Sequence, residues 1–140
     1  MDKTKSLDVV SLTDAIGIIG SATCALHCVL TPILLVGGAI LPTSFAADES
    51  FHRMLLWIVL PSSLLAFGLG CWRHKDVTVL GLGVLGLIGL ALPIVAPHGL
   101  IGESAERGFT VVAAGLLITA HVRNFRQCRA DCCDHAPSSV

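Results

Sequence analysis

Charge is scarce in this sequence. Only 14% of its 140 residues are Asp, Glu, Lys or Arg, and the formal net charge is −1. A soluble domain carries about 25% charged residues, and a nucleic-acid-binding surface needs clustered basic ones. The chain fits neither class. It also lacks a phosphate-binding loop, a serine nucleophile elbow and an HExxH zinc-protease motif. No enzyme activity is expected from it.

What fills the sequence instead is apolar. Hydrophobic residues make up 54% of it, and the mean hydropathy is +0.80. That composition predicts an all-α integral membrane protein with a lipid bilayer as its solvent. Four apolar stretches read as spans at about 16–41, 51–72, 77–97 and 105–124. They form one four-helix membrane domain over 1–124, followed by a Cys-rich tail at 125–140. The run from Val9 to Leu41 is too long for one hydrocarbon core of about 30 Å, so its start is expected to lie along the interface. Lys3 and Lys5 before an apolar run, with Ser44-Phe45-Ala46 after it, resemble a signal peptide. The run is too long for one, however, and cleavage would discard the residues discussed next.

Basic residues set the orientation. Lys3, Lys5, Arg73, Lys75, Arg123, Arg126 and Arg129 fall on one side of a four-span chain, and only Arg53 and Arg107 on the other. The positive-inside rule then predicts cytoplasmic termini. Dense glycine in the third span (Gly81, Gly83, Gly86, Gly89) suits close helix packing. Ser104 is a candidate cap for the fourth helix, and Asp48 or Ser50 for the second.

Six cysteines are present. Cys24, His27 and Cys28 stand at i, i+3 and i+4 inside the first span, on one helix face. Two sulfurs and an imidazole suit a soft, thiophilic metal, and an ionisable group at membrane depth points to function. The alternative is that both cysteines merely pack. Cβ atoms at i and i+4 lie about 5–6 Å apart. A disulfide needs about 3.5–4.5 Å, so the pair is better placed to hold an ion than to bond to itself. Pro32 crowds the carbonyl of Cys28 and loosens the helix there.

A second cluster, Cys128, Cys132 and Cys133 with His135, follows the fourth span. Arg126 and Arg129 favour thiolates in it, and it reads either as a metal-handling tract or as a lipidated or incidental tail. His121, Asn124 and Cys128 share a face. They line a polar route or, on the reading preferred from sequence, form an ordinary interfacial helix end. Cys71 reads as packed, and His52, His74 and His98 as interfacial histidines.

With the first-span pair followed by Pro32, four spans, and cysteines just after the fourth, the chain resembles the MerC family of mercury-resistance membrane proteins over about residues 10–133. That resemblance implies a multi-pass protein of the inner membrane that takes up mercuric ion for cytoplasmic detoxification. Typical members carry the first-span pair as C-x-x-C. Here Cys24 matches directly, His27 occupies the place of the second cysteine, and Cys28 follows one residue later. The tail cysteines match loosely. The expected metal site is therefore Cys24, Cys28 and His27, with Cys128, Cys132 and Cys133 receiving the ion for a cytoplasmic thiol acceptor or mercuric reductase. A thiol–thiol–imidazole set also serves Zn²⁺ or copper. The competing functions are a membrane thiol oxidoreductase and a Zn/Cu-binding sensor.

Overall fold

The structure, a computed structural model, describes residues 3–38, 48–74, 76–95 and 102–133, and among them the side chains of 8–38, 50–70, 76–95, 102, and 104–130. Four helices follow one another: α1 (Lys3–Val36), α2 (Asp48–His74), α3 (Val77–Val95) and α4 (Glu103–Cys133). Each contains a stretch long and apolar enough to cross a membrane: Asp8–Val36, Ser50–Gly70, Val77–Val95 and Ser104–Ala130. The all-α four-span expectation is met. His98, His135 and the 136–140 segment lie outside the described residues.

Helix ends differ from the sequence expectation for local reasons. α1 is one continuous helix from Lys3, through Pro32, and ends at Val36 instead of near Leu41. Gly37 and Gly38 stop it. Their N–H groups bond back to Ile33 O and Leu35 O, and Gly38 turns left-handed at φ 79°, a conformation glycine adopts at little cost. At α4 the first N–H groups, those of Ala105 and Glu106, bond to Gly102 O. Gly102 thus stands at the cap position, and Ser104 lies within the first turn. α4 also runs on through Cys133, so residues 125–133 continue the helix.

Between α2 and α3, Asp76 caps α3. Its Oδ1 accepts the Thr78 N–H at 2.8 Å, and its Oδ2 accepts from the Gln127 side chain and, at 3.4 Å, from Arg123. The Gln127 bond, helped by the Thr78 N–H, holds the Asp76 carboxyl well below the usual carboxylate range. The turn is thereby tied to α4.

The helices form a bundle in which α4 packs along both α1 and α3, and α2 packs against its three neighbours. The core joins Cys24, Leu55, Val59, Phe67, Leu90 and Leu117. Large residues such as Leu12, Ile19, Leu26, Trp57 and Ile88 face outward, as lipid requires of a membrane bundle. Three of the four glycines of α3 pack as expected. A Cβ on Gly83 would meet the Phe67 ring, one on Gly86 would lie 2.6 Å from Leu117, and one on Gly89 2.6 Å from Ala113. Gly81 has nothing within 4 Å.

Hydroxyls in the spans mostly bond to their own helix. Thr13, Thr23, Ser62, Thr110 and Thr119 each donate to a backbone carbonyl three or four residues back, which satisfies them without water. Ser63 and Ser21 are different. Ser63 reaches across to α4, and the buried Ser21 Oγ has no hydrogen-bond partner.

Candidate metal centre

Cys24 and Cys28 stay on one regular face of α1, and both are buried, at 2% and 3% exposure. No disulfide joins them. α2 runs back antiparallel to α1, placing Val59 against Gly20 and, two turns nearer the connecting segment, His52 against Cys28. His52 Nε2 lies 3.1 Å from Cys28 Sγ. Ligand atoms of Cys24, Cys28 and His52 all fall within 4.8 Å of one another. Two thiols and one imidazole thus converge, a soft donor set with a borderline nitrogen.

The imidazole of this group comes from α2, and not from the sequence-adjacent His27. His27 is buried beside it. Its ring stacks on Phe51 at 4.1 Å between centroids and meets His52 edge-on at 5.7 Å. His52, read from the sequence as an interfacial histidine, therefore belongs to the cluster. The only sequence signal for it was its place in the first turns of the helix that folds back on the thiols.

The cluster has two kinds of space beside it. Cys24 and His52, with Leu55, Val59 and Leu90, line a cavity of about 10 Å³, roughly one water-sized atom. His27 and Phe51, with Leu26, Leu30 and Leu34, line an open apolar groove of about 310 Å³ on the flank of the bundle. The first touches two of the three clustered groups, and the second borders the His27 ring beside them.

Cys128 lies elsewhere. It is buried, at 2% exposure, on the face of α4 that carries His121 and Asn124. Asp14 bonds to both of those residues, and this fixes the register of α1 on α4. Cys128 falls one turn beyond, toward the end of the bundle where α1 begins. Cys24 lies the other way, so the two cysteines are about 20 Å apart along the axis at 1.5 Å per residue. No described cysteine side chain lies between them. Cys132 and Cys133 occupy the last turn of α4, and their side chains are outside the described residues.

His121 and Asn124, expected at an interface, are inside the bundle at 0% and 1% exposure. Their partner Asp14 lies more than a hundred residues earlier in the chain.

No curated protein matches the chain, and neither does any solved structure. The family described as MerC mercury resistance protein matches residues 14–126. That match takes in Cys24, Cys28 and His52, and all or most of each of the four spans. The match covers well over half of the chain, and the chain belongs to the MerC family.

Proposed function

We propose that the protein is a transporter that takes up mercuric ion through the Cys24–Cys28 pair, with His52 as the third ligand. The convergence of these three groups within 4.8 Å is the observation that carries the reading. Thiolates are the binding species, so capture releases protons. Soft sulfur prefers a soft ion over Mg²⁺ or Ca²⁺. His27 sits where the apolar groove meets the cluster and guides the ion in or accepts a proton from it. In this reading the termini are cytoplasmic and the membrane is the inner one. The ion passes on to Cys128 and to Cys132 or Cys133, and from there to a cytoplasmic thiol acceptor or a mercuric reductase. No chemical step on a substrate is assigned to the protein.

Delivery over about 20 Å runs along the α1–α4 seam. His121 and Asn124 close that seam, so passage requires it to open.

X-ray absorption of the protein loaded with one Hg²⁺ tests the first step. Two sulfur neighbours and one nitrogen are expected, with the nitrogen lost in His52→Ala. Retention of a nitrogen neighbour in that variant, or sulfur ligation that survives Cys24→Ser together with Cys28→Ser, contradicts the assignment. Competition with Zn²⁺ and Cu⁺ in the same preparation ranks the metals.

A further inference from the structure

Asp14, Ser63, His121 and Asn124 form a polar cluster in the middle of the bundle that the proposed transport site does not use. His121 Nδ1–H donates to Asp14 Oδ1 at 2.8 Å. Asn124 Nδ2 donates to Asp14 Oδ2 at 2.9 Å and to the Ala66 carbonyl at 3.2 Å. On its other side, His121 Nε2 lies 3.0 Å from Ser63 Oγ. Asp14, Ser63 and His121 are all 0% exposed. An ionisable pair buried inside a bundle of apolar helices is costly, which points to function.

The cluster has no room for a metal ion. Both carboxylate oxygens of Asp14 already accept a hydrogen bond. The His121 ring fills the space where Gly17 lacks a Cβ, and the Asn124 amide fills the space left by Gly70. The Phe67 ring covers the imidazole at 4.5 Å. A proton needs no room, and the geometry suits one. With His121 neutral, the Ser63 hydroxyl donates to Nε2. With His121 charged, Nε2–H donates to the same hydroxyl oxygen. Both states keep the imidazole nitrogens bonded, and only a hydroxyl rotates.

We propose that Asp14 and His121 form an exchangeable-proton site that latches the α1–α4 seam, and that import of a cation is exchanged against this proton. With the proton bound, the pair is electrically neutral overall: either an imidazolium beside a carboxylate, or an imidazole beside a carboxylic acid. When the proton leaves, one uncompensated negative charge remains in the membrane interior. That state is relieved by opening the seam or by an approaching cation. The proton comes from water on one side and returns to water on the other, and no bond other than N–H or O–H is made or broken. The unpartnered Ser21 Oγ, two turns from Asp14 toward Cys24 on the same face of α1, is a further polar group on this path.

Among the described side chains, few ionisable groups stand near the pair. From α2 it meets Ser63, the Ala66 carbonyl and Phe67, none of which ionises. α3 contains no titratable residue at all. On α4 the nearest are Cys128, one turn past Asn124 on the same face, and Arg123, which is bonded to Asp76. On α1 the nearest acid is Asp8, which is exposed.

The inference rests on the transport reading only for what the proton is exchanged against, so the first measurement is made without metal. The full chain, labelled with ¹⁵N-histidine and reconstituted in bilayers, is titrated by NMR and by difference infrared spectroscopy. The expected result is a His121 ring-nitrogen or carboxylic-acid C=O change involving one proton, absent in Asp14→Asn and shifted in Ser63→Ala. A His121 signal that stays constant until the protein unfolds overturns the site, and so does a carboxyl band that survives Asp14→Asn. The second measurement loads vesicles with a luminal pH dye and clamps the potential with K⁺ and valinomycin. Sustained Hg²⁺ entry is expected to move about one proton outward per ion, and His121→Gln is expected to abolish that movement. Entry without net proton movement in the wild type overturns the coupling while leaving the metal assignment intact.

Discussion

His52 Nε2 and Cys28 Sγ lie 3.1 Å apart across the α1–α2 hairpin, whereas His27, next in sequence to Cys28, turns its ring onto Phe51. The thiols and the imidazole that clusters with them thus come from different helices. The two histidines are expected to behave differently when removed. His52→Ala should weaken Hg²⁺ binding by about 10–100-fold, the range seen for groups that support a metal site. His27→Ala should slow capture with a smaller effect on affinity. Isothermal titration against a competing thiol ligand separates the two, and equal losses in both variants contradict the division of roles.

Glycine tolerance follows from the packing. Gly17→Ala drives a methyl group into the His121 ring, and Gly70→Ala drives one into the Asn124 amide. Each is expected to destabilise the bundle by about 1–3 kcal/mol through overpacking. Gly81→Ala meets nothing within 4 Å and should be neutral or slightly stabilising, since alanine is the better helix former. Thermal melts in one detergent rank the three variants, and a Gly81→Ala loss as large as that of Gly17→Ala contradicts the packing.

These features show what a sequence can and cannot carry. The membrane class and the four spans were legible because hydropathy is a local property. The Cys24–Cys28 face was legible because a helix puts i and i+4 together whatever surrounds it. His52 was not, because its role depends on the register of α2 against α1, which no local pattern encodes. In the sequence Asp14 merely interrupts the apolar run from Val9 to Leu41, and His121 and Asn124 read as a helix end. Their meaning lies in a contact between the first and last helices. The early stop at Gly37–Gly38 was missed for a simpler reason: hydropathy continues past it while backbone conformation does not.

Acid should loosen the α2–α3 turn in a defined way. The Asp76 carboxyl titrates below its ordinary value of about 3.9 because Gln127, Thr78 N–H and Arg123 bond to its charged form. A depressed folded-state value means that its contribution is fully present above the unfolded-state value and is lost as pH falls toward the folded one. Wild type is therefore expected to exceed Asp76→Asn in melting temperature at neutral pH, with the gap narrowing only below about pH 4. A gap that is constant down to strong acid, or that closes near neutrality, contradicts the ionised cap.

Cys128 is distant from the capture site. Cys128→Ser is expected to leave first-site Hg²⁺ affinity within about twofold, because sites beyond roughly 7–10 Å act independently. Appearance of the ion at an acceptor thiol on the far side should slow. Binding assays and stopped-flow transfer to a thiol acceptor read the two separately. Loss of binding in this variant places Cys128 in the primary site.

The account stands most directly on uptake by sealed vesicles carrying Cys24→Ser and Cys28→Ser together. Serine is nearly isosteric, but its hydroxyl is a hard donor that stays protonated where a thiol yields a soft thiolate. The predicted result is a properly inserted protein whose Hg²⁺ accumulation falls to the level of protein-free vesicles. Accumulation at the wild-type rate would mean that these two buried thiols only pack, and that the ion crosses by another path.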